Sequence, residues 1–111
     1  MNIVVVQGVL TREPQQRTLP DGTVVLEWTV TTGEAADRTS VPVQWSDPPA
    51  SVRGCQLGAE VLVSGTVQTR WFRHGGANVS RVEVLGSSYA NPKRAASATR
   101  LRKKAEAALQ G

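Results

Sequence analysis

Aromatic rings and guanidinium groups crowd into a short stretch of this chain. Arg70, Trp71, Phe72 and Arg73 run consecutively, His74-Gly75-Gly76 follows, and Arg81 comes soon after. Flat rings accept unstacked nucleobases and cations follow phosphates, so this mixture suits a polyanion with exposed bases. Trp45, Arg12 and Arg17 are further candidates of the same chemical kind. Catalysis lacks its materials. The only cysteine, Cys55, cannot form an internal disulfide, and with the only histidine, His74, it cannot complete a four-ligand zinc site. The carboxylates Glu27, Glu60 and Glu83 are scattered along the chain with no such group beside them. We therefore expect a binding protein with no catalytic residues, no metal and no cofactor. Each candidate also has a plainer role. A surface arginine can simply be solvated, His74 can be a turn residue, and Cys55 can be a small buried hydrophobe.

Something must hold those side chains, and 111 residues allow one domain. With 40% apolar and 20% charged residues the chain can pack a core. No apolar run approaches the roughly 20 residues needed to cross a bilayer, and MNIVVVQGVL has no basic leader or small-residue cleavage site. The expectation is a cytoplasmic protein without membrane contact. Its net charge of +4 is unevenly spread. Residues 91–111 hold six bases (Lys93, Arg94, Arg100, Arg102, Lys103, Lys104) against Glu106, while residues 1–90 hold seven bases and eight acids. The organisation read from this is a near-neutral binding domain over 1–90 and a basic Ala-rich tail over 91–111.

Period-2 alternation dominates the domain and predicts an all-β fold. The first strand, about 2–10, is apolar on both faces: Ile3, Val5 and Val9 point one way, Val4, Val6 and Leu10 the other. Two apolar faces predict a neighbour outside the sheet, with Ile3, Val4, Val5 and Val6 as the candidate oligomer interface. Leu19-Pro20-Asp21-Gly22-Thr23 predicts a hairpin joining about 15–19 to 23–32, with Val24, Leu26, Trp28 and Val30 facing the core. Val41, Val43 and Trp45 mark a third main strand, and Asp47-Pro48-Pro49 a short helix over 50–57 stopped by Gly58. A long strand over 59–72, with Val61, Val63 and Val67 inward, turns at His74-Gly75-Gly76 into a last strand over 78–86, where Val82 and Val84 face in and Arg81 and Glu83 out. Five strands with a short helix before the fourth is the order of an OB-fold, a Greek-key barrel that holds oligonucleotides; a small sandwich is the alternative. Asn91-Pro92 opens a C-terminal helix whose stripe of Leu101, Ala105, Ala108 and Leu109 is wide enough to dock.

Several stretches together resemble the bacterial single-stranded DNA-binding protein family. They are Met1-Asn2 before an apolar strand, then Gly8, Leu10, Pro14 and Arg17, the turn Pro20-Asp21-Gly22, Gly58 before a valine strand, and Gly65 with Gln68-Thr69-Arg70 followed by aromatics. The resemblance spans nearly all of residues 1–86. It implies an OB barrel, single-stranded DNA bound without sequence preference in replication, recombination or repair, a place at the bacterial nucleoid, and a homo-oligomer, dimer or tetramer, paired through the first strand. It places Phe72, one residue beyond Trp71, where the family holds a base-stacking tryptophan, and Trp45 where it holds a base-stacking phenylalanine. From the residues alone, Trp71 lies either in the core or on the surface, and Trp45 either stacks on a base or caps the barrel's open end. Arg70, Arg73 and Arg81, then Arg12 and Arg17, are the expected phosphate contacts. The chain departs from the family where Thr39 replaces a tryptophan and where a basic helix replaces the flexible acidic tail that recruits partners. Protein partners bound through such a tail are not expected. A protein-protein adaptor or an RNA-binding module of the same fold is the competing function.

Overall fold

The computed structural model describes residues 1–110 and consists of six strands and two α-helices: β1 (Val4–Leu10), β2 (Gln15–Thr18), β3 (Val24–Thr32), β4 (Thr39–Ser46), α1 (Ala50–Arg53), β5 (Glu60–His74), β6 (Ala77–Ala90) and α2 (Ala95–Gln110). A single 3-10 turn, Ala35–Asp37, lies between β3 and β4. The sheet runs β1-β5-β6-β4-β3-β2, and a further β1–β3 pairing closes all but β2 into a ring. Every pairing is antiparallel except β4–β6, which is parallel and confined to Val43–Val84 and Gln44–Leu85. The fold is thus a closed β-barrel with β2 as an outer strand on β3. No helix among the described residues is long and apolar enough to cross a membrane.

Alternation fills the barrel as expected on β3, where Leu26, Trp28 and Val30 are buried. Trp28 meets Trp45 edge-on at 5.3 Å and Tyr89 at 5.9 Å, so three rings form the centre of the core. Burial, aided by Cys55, pushes the Tyr89 hydroxyl up to about 12. Near the base of the β5–β6 hairpin the register slips. Ser64 pairs with Ser88 but Gly65 pairs with Gly86, leaving Ser87 as the extra residue of a bulge. Glycine is required there by close approach, since a Cβ on Gly65 would lie 1.9 Å from the Leu85 carbonyl oxygen and one on Gly86 would lie 2.7 Å from the Trp45 ring. The slip turns Tyr89 inward and Ala90 outward.

Several boundaries differ from expectation for local reasons. The helix expected over 50–57 is one turn, Ala50–Arg53. Asp47 does not cap it, because its carboxylate accepts from the Val24 N–H at 2.9 Å and its own N–H donates to the Val24 carbonyl, closing the end of β4 onto the start of β3. The last strand reaches Ala90, since the bulge lets pairing resume beyond Gly86. The C-terminal helix begins at Ala95, because Asn91 is spent on an Asx turn whose side chain accepts from the Lys93 N–H at 3.0 Å.

The doubly apolar first strand is satisfied within the chain on its inner face. Val4 and Val6 are half-buried there against the barrel core, which turns them away from the outer face expected to hold a second copy. On the outer face α2 is the neighbour: Ala98 and Leu101 bury against Leu62 and Ala90, and Arg102 donates to the Gln7 side chain at 2.8 Å. Ile3 is half-buried beside Leu101, Ala105 and Ala108, and Val5 alone of the four residues is exposed. A tail read as a separate segment is thus docked on the barrel.

Candidate nucleic-acid interface

Long pairing from Leu62–Ala90 out to His74–Ala77 makes β5 and β6 a two-stranded ribbon that projects past the barrel wall. Gly75 and Gly76, at φ of 60° and 81°, form its tip, a left-handed conformation that glycine adopts without strain. Beyond the wall, parity no longer means burial. Val67, Thr69 and Trp71 share a face with Ser80, Val82 and Val84, yet only Val84 reaches the core. Val82, expected inward, is 62% exposed, and Val67 is exposed as well. Trp71 stands on this same face with 71% of its surface exposed, so its indole is a surface ring.

The opposite face carries Gln68, Arg70 and Phe72 from β5 with Val79, Arg81 and Glu83 from β6. Phe72 is 38% exposed, and the Arg70 guanidinium sits 5.7 Å from its ring centroid. The two aromatic candidates therefore stand at the same end of the ribbon but project from opposite faces. Trp45 is not with them. It is buried in the core against Trp28, so it offers no ring to a ligand, and its expected stacking role is corrected to that of a core residue. Its position is set by strand alternation against exposed Ser46 and by the space over Gly86, where a Cβ would meet its ring.

The expected phosphate contacts divide similarly. Arg70 pairs with Glu83 at 3.2 Å, and Glu83, expected to face solvent, is only 1% exposed and also accepts from Gln68 at 2.9 Å. Arg81 reaches over β4 to the carboxylate of Glu27 on β3. Both guanidinium groups are thus neutralised inside the chain. Arg73 is exposed and donates to the Gly76 carbonyl at 3.1 Å, bracing the turn. Arg12, before β2, and Arg17, on it, are exposed, and β3 and β4 separate β2 from β6 in the sheet, so the five arginines do not lie on neighbouring strands.

Glu27 and Glu83 are the residues that sequence reasoning passed over here. The signal was present, since Arg70, Arg81 and Glu83 share one face by alternation and cross-strand neighbours of opposite charge pair. Chemically, the ribbon offers an exposed indole, a phenyl ring under a guanidinium, and little free positive charge. No model of a known protein family matches this chain, and no curated protein shows significant similarity to it.

Proposed function

We propose that this protein is an OB-fold, a divergent relative of the bacterial single-stranded DNA-binding proteins, and that it binds single-stranded DNA without sequence preference by stacking bases on the ribbon end. It acts without catalysis, in replication, recombination or repair, at the nucleoid. The single observation that carries the reading is Trp71, an indole 71% exposed on a projecting ribbon where no packing accounts for it. Base-on-indole stacking is tolerant of sequence and is worth roughly 1–3 kcal/mol per base. The ring order supports the fold assignment. With β2 set aside, the strands close as first-second-third-fifth-fourth, with α1 between the third and fourth, as a Greek-key barrel of this type requires. A homo-oligomer belongs to the proposal too. β1 pairs with β3 only at Val9 and Leu10, which leaves the edge of its first half for a second copy, beside exposed Val5.

Fluorescence titration with oligo-dT at low salt tests this directly. Trp28 and Trp45 are buried, so a quench on binding reports Trp71. The expected result is saturable quenching that weakens as salt rises, with the signal abolished but binding retained in Trp71→Phe. No response at low salt overturns the proposal and favours an adaptor, and tighter competition by oligo-U than by oligo-dT assigns the site to RNA.

The internal ion pairs predict an unusual gain. Glu27 holds Arg81 at the surface of the ribbon, both groups being only partly buried. Glu27→Gln should release that guanidinium to a phosphate, raising oligo-dT affinity at low salt and steepening the slope of log K against log salt by about 0.7. Salt-titrated binding of the variant beside the unmodified chain checks this.

A further inference from the structure

The ribbon supplies rings but has spent its charge. Among the described residues both ion pairs take a ribbon arginine, Arg70 with Glu83 on the ribbon and Arg81 with Glu27 on β3, and the nearby Arg73 is engaged with its own turn. The docked helix α2 has the reverse character. Arg100, Lys103 and Lys104 are exposed, none pairs with an acid among the described residues, and the neighbouring Arg102 is bonded only to the neutral Gln7.

We infer that α2 is the phosphate-binding half of the interface: the backbone of the single strand whose bases stack at the ribbon end runs along the outer face of α2, where Arg100, Lys103 and Lys104 take its phosphates. This rests on the proposed single-strand binding and adds a surface to it. Three features of the structure support it. First, the cations are fixed in place. At 100° per residue, Ala98, Leu101 and Ala105 form the buried stripe, which leaves Arg100, Lys103 and Lys104 on the side turned to solvent. The helix is held to β5 and β6 through Leu62 and Ala90. Charge anchored in this way loses less freedom on binding than the same residues on a loose tail.

Second, the path is continuous. The start of α2 lies by Tyr89 and Ala90, while Lys104 and Ala108 line a groove with Ser64, Thr66 and Ser87. α2 thus lies along the outer face of β5 in the direction of the ribbon. On that same face alternation continues from Ser64 and Thr66 through Gln68 and Arg70 to Phe72, about 20 Å beyond Thr66 at the rise of a strand. The Ser64 and Thr66 hydroxyls along the groove are further donors to phosphate, the Ser87 hydroxyl being donated to the Ser64 carbonyl at 3.1 Å. Third, the charge is complementary and unbalanced: six bases stand against one acid after residue 90, on a body close to neutral. The first two of these bases do not serve the helix, since Lys93 and Arg94 stand at its amino end, where the dipole favours acids.

The test is the variant Arg100→Ala with Lys103→Ala and Lys104→Ala in the full chain, titrated with oligo-dT across a salt series and followed by Trp71 fluorescence. Alanine favours helix, so far-ultraviolet circular dichroism should be unchanged. The expected result is weaker binding at low salt and a salt slope shallower by about 2, near 0.7 for each lost phosphate contact, with the same maximal quench. An unchanged slope and affinity, in a chain that binds oligo-dT, overturns the role of α2 and leaves the ribbon reading intact. Failure of the unmodified chain to bind overturns both.

Discussion

Replacing Trp71 and Phe72 together by alanine should weaken oligo-dT binding by roughly 2–6 kcal/mol, since each ring contributes roughly 1–3 kcal/mol of stacking. The lower bound is a loss of about thirtyfold in affinity. The thermal midpoint should barely move, because neither ring belongs to the barrel core. Equilibrium titration beside a melting curve makes the separation visible, and a large fall in thermal stability would mean that the rings serve the fold. The single variants carry added information because the rings project from opposite faces. A strand that wraps the ribbon end uses both, and the two losses then add. A strand that runs mainly on the face shared with Lys104 and meets Trp71 only at the ribbon end depends more on Phe72, and Trp71→Ala then costs less affinity although it removes the signal. The path inferred along α2 favours a larger loss from Phe72 than from Trp71. A reversed ranking would place the strand on the Val82 face.

Much of the barrel could be read from alternation, because β3 keeps Leu26, Trp28 and Val30 in the core, with only Val24 at the start of the strand half-buried. The same rule failed on the outer ribbon, and the reason is physical. Alternation tells which side of a sheet a residue takes, not whether anything lies there, so Val82 shares a side with Val84 yet meets solvent. Parity also failed across the bulge, where one extra residue, Ser87, turns Tyr89 inward. No count from Val84 could have found that without the register. The first strand shows a third limit. Two apolar faces do predict cover, but the sequence does not say how much of it the chain supplies: Val4 and Val6 pack on the core, α2 reaches only Ile3 and Gln7, and Val5 stays exposed. Of the candidate site, Phe72 was legible because a phenylalanine on an outward face has no packing role, whereas Trp71 has core parity and only the projection of the ribbon past the barrel puts it in solvent. The neutralisation of Arg70 and Arg81 depends on two carboxylates brought into reach by strand pairing and by the sheet order.

Trp28→Ala should be the most damaging single substitution in the barrel. Its indole is fully buried, and it is the ring that both Trp45 and Tyr89 pack against edge-on. Removing it forfeits its transfer free energy, leaves a cavity and breaks two aromatic pairs, about 3–5 kcal/mol in all. A small domain holds only about 5–15 kcal/mol of stability, so the variant should lie near its unfolding transition at physiological temperature. Trp28→Phe discriminates the cause. The Trp28 Nε1–H has no hydrogen-bond partner, so phenylalanine removes an unsatisfied donor while keeping most of the ring, and it should cost far less than alanine. Trp45→Ala should behave like Trp28→Ala, because Trp45 fills the space over Gly86 and is closed off from any base. Urea unfolding measures all three. Where the Trp45 variant remains folded in the cold, its oligo-dT affinity should equal that of the unmodified chain. A specific loss of affinity with stability preserved would return Trp45 to the interface and mean that the barrel opens to admit a base.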